Sequence, residues 1–312
     1  MRVFTDIHNL KTEVSNAVVT LGTFDGVHLG HRKVLDELKR VSADYNKSAL
    51  VITYWPHPRI VLSNSDDTPK LLSTLENKIV LFEQMGIENL LVLAFSKQLA
   101  EKSHDEFVSE LLINQLNVHS VVVGYDHRFG KDRKGSFDFL KHNSKEFKIN
   151  VFEVGPYELN DIAVSSTKIR KALAEGELDT ANAMLGYHYF IEGRVVKGWR
   201  LASKLSFPTA NLALDNYEQQ MPKDGVYLVR VEFEEDNYYG ILNTGENPTI
   251  PLKGRSIEVH IFEFNKNIYD KNVAVHFIKR IRDEMRFENT AQLQQQIEND
   301  KQLSLEIISQ LK

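Results

Sequence analysis

Ala17-Val18-Val19-Thr20-Leu21-Gly22-Thr23-Phe24-Asp25-Gly26-Val27-His28-Leu29-Gly30-His31 decides the fold of the first half of the chain. An apolar run ends at Leu21, a glycine-bounded turn follows, and the turn enters a helix whose inner face is Val34, Leu35, Leu38 and Val41. A strand, turn and helix in that order aim backbone N–H groups and the positive end of a dipole at an anion. His28 and His31 lie three apart at the helix start, so both imidazoles can face one ligand. Gly30 between them removes a side chain where a flat base or sugar could approach. The chemistry this suits is attack on an α-phosphate with pyrophosphate leaving, imidazole N–H groups steadying the leaving charge without a protein nucleophile. The plain alternative is two surface histidines in a helix cap, and a bare HxGH match is weak. Zinc is weaker still, since no third ligand stands at a recognisable spacing.

Outward from this stretch, short apolar runs recur at Ala49–Tyr54, Leu90–Phe95, Ser120–Gly124 and Asn150–Val154. Helical faces lie between them, one from Ile79, Phe82 and Met85 and another from Phe107, Leu111 and Leu112. Continuous apolar strands separated by amphipathic helices predict a parallel sheet covered on both sides, with ligands beyond the carboxyl ends of its strands. Near Gly186 the pattern changes to period-two alternation. Strands are expected at Ile191–Lys197, Val226–Phe233, Tyr239–Asn243, Ser256–Phe264 and Val273–Ile281. Closely spaced strands without intervening helices read as an antiparallel barrel or sandwich. A C-terminal helix after Asn289 has Leu293, Ile297, Leu303, Ile307 and Leu311 as its expected apolar side, with a break near Asp300. Thr167–Leu173 and Asp179–Leu185 read as helices, the second stopped by Gly186. The expected domains are therefore 1–185 and 186–312.

The bulk numbers bound the partners. A chain of 312 residues, 42% hydrophobic and 26% charged, is an ordinary soluble composition and long enough for two cores. No window reaches a membrane span, and the start of the chain lacks a signal-peptide core. Zero cysteines exclude a disulfide scaffold and thiolate metal sites, which fits a cytoplasmic protein. A net charge of −5 argues against a nucleic-acid partner but not against a nucleotide.

Further segments bear on the first site. Val164-Ser165-Ser166-Thr167-Lys168-Ile169-Arg170 places hydroxyls and bases at a helix start, which is either a plain capped helix or a second anion pocket. Gly124–Gly135 mixes Asp126, aromatic residues and Arg133 in a glycine-bounded loop, either solvated or a seat for an aromatic phosphate. Thr53-Tyr54-Trp55-Pro56-His57-Pro58 ends its strand at the same sheet face.

The second half carries its own constellation, Phe207-Pro208-Thr209-Ala210-Asn211, then Ile257-Glu258-Val259-His260. Thr209 and Asn211 are hard oxygen donors two apart on one strand face, suited to a Mg²⁺ that rides on phosphates. Glu258 could take the proton of an alcohol attacking a γ-phosphate. Taken singly, turn chemistry and a solvent-facing carboxylate explain these residues better.

With these residues in hand, the chain resembles the bifunctional bacterial riboflavin kinase/FMN adenylyltransferase family over nearly its whole length. The resemblance also takes in Leu71–Gly86, Phe95–Leu116, Pro222–Tyr227, Asn243–Thr249 and Arg282–Phe287. It implies a Rossmann-like α/β nucleotidyltransferase domain, then an antiparallel β-barrel kinase domain with a C-terminal helix. By resemblance, His28 and His31 are catalytic, with Gly22, Phe24, Asp25, Gly30, Ser166, Thr167 and Arg170 on ATP and His57, Asp126 and Arg133 on flavin. In the second domain it implies Glu258 as base, Gly193, Lys197, Gly198 and Pro208 on ATP, Thr209 and Asn211 on Mg²⁺, and Arg282 on flavin. The implied substrates and products are ATP, riboflavin, FMN and FAD, with a monomer favoured. His127 stands where the family usually has Phe. Ala202-Ser203-Lys204-Leu205-Ser206 replaces a glycine-rich stretch, and Glu263 and Asp270 stand where Asp and Gly are usual. The alternative is therefore an adenylyltransferase whose kinase module has become a flavin-binding or docking domain. A non-catalytic flavin sensor or RNA-binding regulator is the rival of another class.

Overall fold

Val18, Val19, Thr20 and Leu21 are all buried, as a strand covered on both faces requires. They form β2 of a six-stranded sheet whose other members are β1 (Arg2–Phe4), β3 (Ala49–Trp55), β4 (Asn89–Ala94), β5 (Ser120–Gly124) and β6 (Asn150–Val154). All pairings are parallel, in the order β1-β4-β3-β2-β5-β6. The computed structural model describes residues 1–63, 70–197, 209–214, 218–246 and 255–311. The chain divides into two compact units, Met1–Ser166 and Thr167–Lys312.

β2 and β5 are neighbours, but the chain leaves β2 toward β3 and leaves β5 toward β6. Connections that diverge from adjacent strands open a crevice at their carboxyl ends. The core beneath joins Val19, Leu21, Leu50, Ile52, Val121 and Val123 to Phe107, Leu111 and Leu140. Full burial of each such side chain stabilises by about 1.5–3 kcal/mol.

The helix after β2 spans Leu29–Tyr45, buries the expected Val34, Leu35, Leu38 and Val41, and ends at Asn46 in the left-handed region. Phe107–Gln115 is helical with the expected face, but winds as a π-helix, Leu116 N–H reaching the Leu111 carbonyl at 3.0 Å. Helix Leu75–Gln84 departs from expectation more usefully. Its most buried face is Asn77, Lys78, Leu81 and Phe82, while Ile79 and Met85 are only half-buried. Strand β1 and the hairpin β7 (Glu158–Leu159) with β8 (Ile162–Ala163) were not foreseen.

The second unit holds a closed antiparallel barrel of β9 (Phe190–Val196), β10 (Ala210–Ala213), β11 (Gly225–Phe233), β12 (Asp236–Glu246), β13 (Arg255–Ile261) and β14 (Asn272–Arg282). Barrel, not sandwich, is thus the outcome. Tyr227, Val229, Leu242, Val259, Val275 and Phe277 are buried at alternating strand positions. Helices Ser166–Glu175 and Leu178–Leu185 precede it, and Gly186 caps the second with φ 76°.

The terminal helix, Thr290–Gln310, runs without the expected break. Its buried residues are Asp300, Ser304 and Ile308, whereas Leu303 and Leu311 are exposed. The inward stripe steps by four through two polar residues, so hydrophobicity alone misplaced it. Ile308 joins Val226, Leu228, Ile241 and Ile278 in a cluster, and Ile307 packs against it.

Candidate functional site

The turn after β2 is shaped by residues that the side chains of its surroundings hold in place. Phe24, Gly26 and Val27 have φ of 47°, 80° and 37°. For Val27, β-branched, that region is strained, and such strain concentrates at functional sites. Asp25 turns inward, its Oδ1 accepting from Leu72 N–H at 2.8 Å and Ser73 N–H at 3.1 Å. Ser73 Oγ in turn accepts from Gly26 N–H at 2.9 Å. Ser166 donates its hydroxyl to the Asp25 carbonyl at 3.0 Å, so the second hydroxyl motif does meet the first.

His28 is the N-cap of the helix, its Nδ1 accepting from His31 N–H at 3.3 Å. A neutral His28 therefore carries its proton on Nε2. The two imidazoles stack with centroids 3.6 Å apart and planes at 16°. Phe24 meets His31 edge-on at 5.2 Å and packs on Phe82 at 5.6 Å. Burial first, then His28, then the Lys78 ammonium hold His31 well below the usual imidazole range, so it is neutral at pH 7. His31 Nδ1 is buried and has no hydrogen-bond partner among the described residues. A buried polar atom without a partner calls for an account, and a ligand group is one. Gly30 has a role the sequence did not show, because a Cβ there would stand 3.1 Å from the His28 ring and 3.6 Å from the Val164 carbonyl.

Four further expected residues, Gly22, His57, Asp126 and Arg133, follow the carboxyl ends of β2, β3 and β5. His57 is buried at the end of β3, its Nδ1 accepting from Arg59 N–H at 3.1 Å. Asp126 and Arg133 are exposed in the loop after β5. Gly22 closes β2, its N–H on the Ile52 carbonyl at 3.0 Å. Thr167 and Arg170 begin the second compact unit on the helix that starts at Ser166, with Arg170 Nη2 on Thr167 Oγ1 at 3.4 Å. In the same loop, His127 stacks on Phe129 at 5.8 Å, and burial pushes its imidazole down to about 4. Sequence reading missed Lys78, which sits 1% exposed with Nζ on the Thr23 carbonyl at 3.2 Å.

The second site is a row across three strands. Asn211 of β10 faces Glu258 of β13, which faces Asn243 of β12. Directly opposed residues share a sheet face, so these three side chains stand side by side, opposite to Val259 and Leu242. Thr209 Oγ1 donates to Glu258 Oε2 at 3.4 Å. Burial raises the Glu258 carboxyl above its ordinary range, with the Thr209 hydrogen bond opposing in part. Glu258 enters no ion pair among the described residues. Asn243 is the member of the row that sequence reading left out.

Other expected residues of this site have structural engagements. A Cβ on Gly193 would stand 2.9 Å from the Ala213 carbonyl, so this glycine lets β9 and β10 approach. Lys197 is exposed at the end of β9. Arg282 gives Nε and Nη2 to Asp300 at 2.8–3.0 Å and Nη1 to the Asp283 carbonyl at 3.0 Å, anchoring the terminal helix. Beside it lies a cleft of about 430 Å³ lined by Ala174, Lys223, Asp224, Asp283 and Glu284. Gly198, Pro208 and the Ala202–Ser206 stretch lie outside the described residues. The donors fit Mg²⁺, since Thr209 and Asn211 offer neutral hard oxygens next to a carboxylate. Among the described residues no cluster of three or more His, Asp or Glu could cage a metal on its own.

Comparison with known proteins agrees with this division. The family model described as FAD synthetase matches residues 10–168, and the one described as riboflavin kinase matches 185–308. A Bacillus subtilis protein named bifunctional riboflavin kinase/FMN adenylyltransferase is 37% identical, covering 98% of this chain and 96% of its own length. Its namesake from Escherichia coli K12 is 33% identical, with 96% of each chain covered. A Streptococcus pneumoniae crystal structure described as a macrolide-efflux protein superposes with TM-score 0.86 at 31% identity, covering 97% of this chain and 98% of that one. No described helix of the present chain is long and apolar enough to cross a membrane. Two matched models in tandem, and full-length relatives that pair the same two activities, show that the chain belongs to the bifunctional riboflavin kinase/FMN adenylyltransferase family.

Proposed function

We propose that residues 186–312 phosphorylate riboflavin to FMN and residues 1–185 then transfer AMP from ATP to FMN. Family models that end at 168 and begin at 185 support that boundary. In the first step Glu258 takes the proton of the riboflavin 5′-hydroxyl as the oxygen attacks the γ-phosphate, and ADP leaves. Thr209 and Asn211 would hold Mg²⁺, which supplies charge neutralisation on the phosphates. Asn243 orients the carboxylate or the hydroxyl from the other side of the row.

In the second step an FMN phosphate oxygen attacks the α-phosphorus of ATP and pyrophosphate departs. The Nε2–H of His28 donates to the developing charge, and the helix N-terminus and the turn's N–H groups supplement it. Ser166, whose hydroxyl donates to the Asp25 carbonyl, serves ATP from the turn, and Thr167 and Arg170 of the same motif are assigned to ATP by the family resemblance. Asp25 serves the ATP site by shaping the turn. His57, Asp126 and Arg133 receive the flavin, while Gly193, Lys197, Gly198 and Pro208 border the kinase ATP. Arg282 supports the flavin-side loop through Asp300.

The observation that carries the bifunctional reading over a decayed kinase is the Asn211–Glu258–Asn243 row, with a desolvated carboxylate free of ion pairing among the described residues. A structural relic has no need of such a base. A cytoplasmic monomer that binds no nucleic acid belongs to the same proposal, supported by ATP as co-substrate and by the acidic net charge. Incubation with riboflavin, Mg²⁺ and ATP, followed by chromatography, tests it: FMN and FAD should both form. FAD from supplied FMN with nothing from riboflavin returns the decayed-kinase alternative.

A further inference from the structure

Lysine is almost never fully buried without a reason, and Lys78 is 1% exposed. It lies on helix Leu75–Gln84, whose start is locked by a capping box between Thr74 and Asn77. Its ammonium makes one hydrogen bond among the described residues, to the Thr23 carbonyl at 3.2 Å, and lies 5.2 Å above the Trp55 ring. Thr53, fully buried on β3, donates its hydroxyl to the same carbonyl at 3.3 Å. Two donors from two elements thus converge on one peptide of the phosphate turn.

That peptide has two ends. In a trans peptide the N–H points away from the C=O, so a Thr23 carbonyl drawn inward turns the Phe24 N–H the other way. Among the described residues the Phe24 N–H donates to no protein acceptor. Phe24 is also the residue at φ 47° whose ring touches His31.

We infer that Lys78 is a positioning residue for adenylyl transfer: with Thr53 it pins the Thr23 carbonyl inward, so that the Phe24 N–H faces the ATP phosphates. The inference rests on the assignment of adenylyl transfer to this site. The lysine acts through the turn, without touching the substrate. The charged and titratable groups facing it are Asp25 from the turn, Glu76 from its own helix and His31 from the helix after β2. Burial pushes the ammonium down to about 8, with Asp25 and Glu76 opposing, so it is charged at neutral pH and loses its proton in the mildly alkaline range.

The test uses the full chain, FMN and Mg·ATP, with FMN formation from riboflavin as a control in the same preparation. In wild type, kcat/KM for ATP should fall as pH rises through about 8. Lys78→Met, near in volume and uncharged, should lower kcat for FAD formation about 100-fold, as for a small misplacement of reacting groups, and abolish the alkaline limb. Lys78→Arg should recover part of the rate and move the limb to higher pH. Thr53→Val should slow FAD formation while leaving the limb where it is. Lys78→Met at the wild-type rate, or slowed with the wild-type limb retained, overturns the inference. If Lys78→Met loses the circular-dichroism spectrum and thermal transition of the wild-type first unit and so does not fold, the limb of Lys78→Arg decides: moved upward it supports the role, unmoved it overturns it. A wild-type protein that makes no FAD from FMN and ATP would instead sink the assignment of the site itself.

Discussion

Replacing Asp300 by alanine tests whether the kinase half depends on the pair it forms with Arg282. Asp300 is 4% exposed and accepts from Arg282 Nε and Nη2 at 2.8–3.0 Å and from Gln296 Nε2 at 2.8 Å. Removing one partner of a buried pair costs about 3–5 kcal/mol, because the other charge stays behind. The Arg282 side chain is 18% exposed and keeps its Asp283 carbonyl, which places the effect at about 3 kcal/mol. For a domain of roughly 150 residues that is a fall of about 10 °C in the midpoint. The assay is thermal inactivation of each reaction in one sample: FMN formation should fail about 10 °C earlier, while FAD formation from FMN keeps its wild-type profile. The double variant Arg282→Met/Asp300→Leu should regain most of the lost stability, since an apolar pair removes the stranded charge. If that variant is stable but makes no FMN, Arg282 also contacts flavin, as the family resemblance implies. Unchanged heat inactivation of the kinase in Asp300→Ala would refute the reasoning, and the pair would be incidental to the barrel.

His28→Ala should cut kcat for FAD formation by about 100- to 1,000-fold and leave FMN formation intact, measured by chromatography from separate substrates. Glu258→Gln should do the reverse, lowering FMN formation by about 100- to 10,000-fold with FAD formation from supplied FMN unaffected. The Glu258 carboxyl is raised by burial, and the base works only when deprotonated. The acid limb of FMN formation should therefore lie above the ordinary carboxylate range, and an unshifted limb would point to another group.

Apolar runs made β2 to β6 legible, and Ser120–Gly124 and Asn150–Val154 fall where they were expected. The histidine pair was legible for the same local reason, since cap, turn and helix are contiguous. What escaped has a common cause: polar residues facing inward. Lys78 and Asn77 occupy the inner face of helix Leu75–Gln84, and Asp300 and Ser304 that of the terminal helix, where a hydrophobic stripe skips them. Lys78 and Asp300 have hydrogen-bonded partners distant in sequence, Thr23 and Arg282, whereas Asn77 and Ser304 bond within their own helix regions to Thr74 and Asp300. Such sites break the local rule because they serve the neighbouring loop. The Asn211–Glu258–Asn243 row was half-legible: same-strand spacing shows which residues share a face, but only pairing register shows which strands are neighbours.

Closure of the barrel has a consequence for how this half tolerates change. β13 bears its carboxylate on one side and Ile257, Val259 and Ile261 on the other. Inserting or deleting one residue there would exchange the two sides, driving Glu258 inward and Val259 out to solvent. With hydrogen-bonded neighbours on both flanks, β13 has no loose margin along which to slide and absorb the change. Point substitutions can therefore tune this enzyme, but length changes within β13 should silence phosphorylation and folding together.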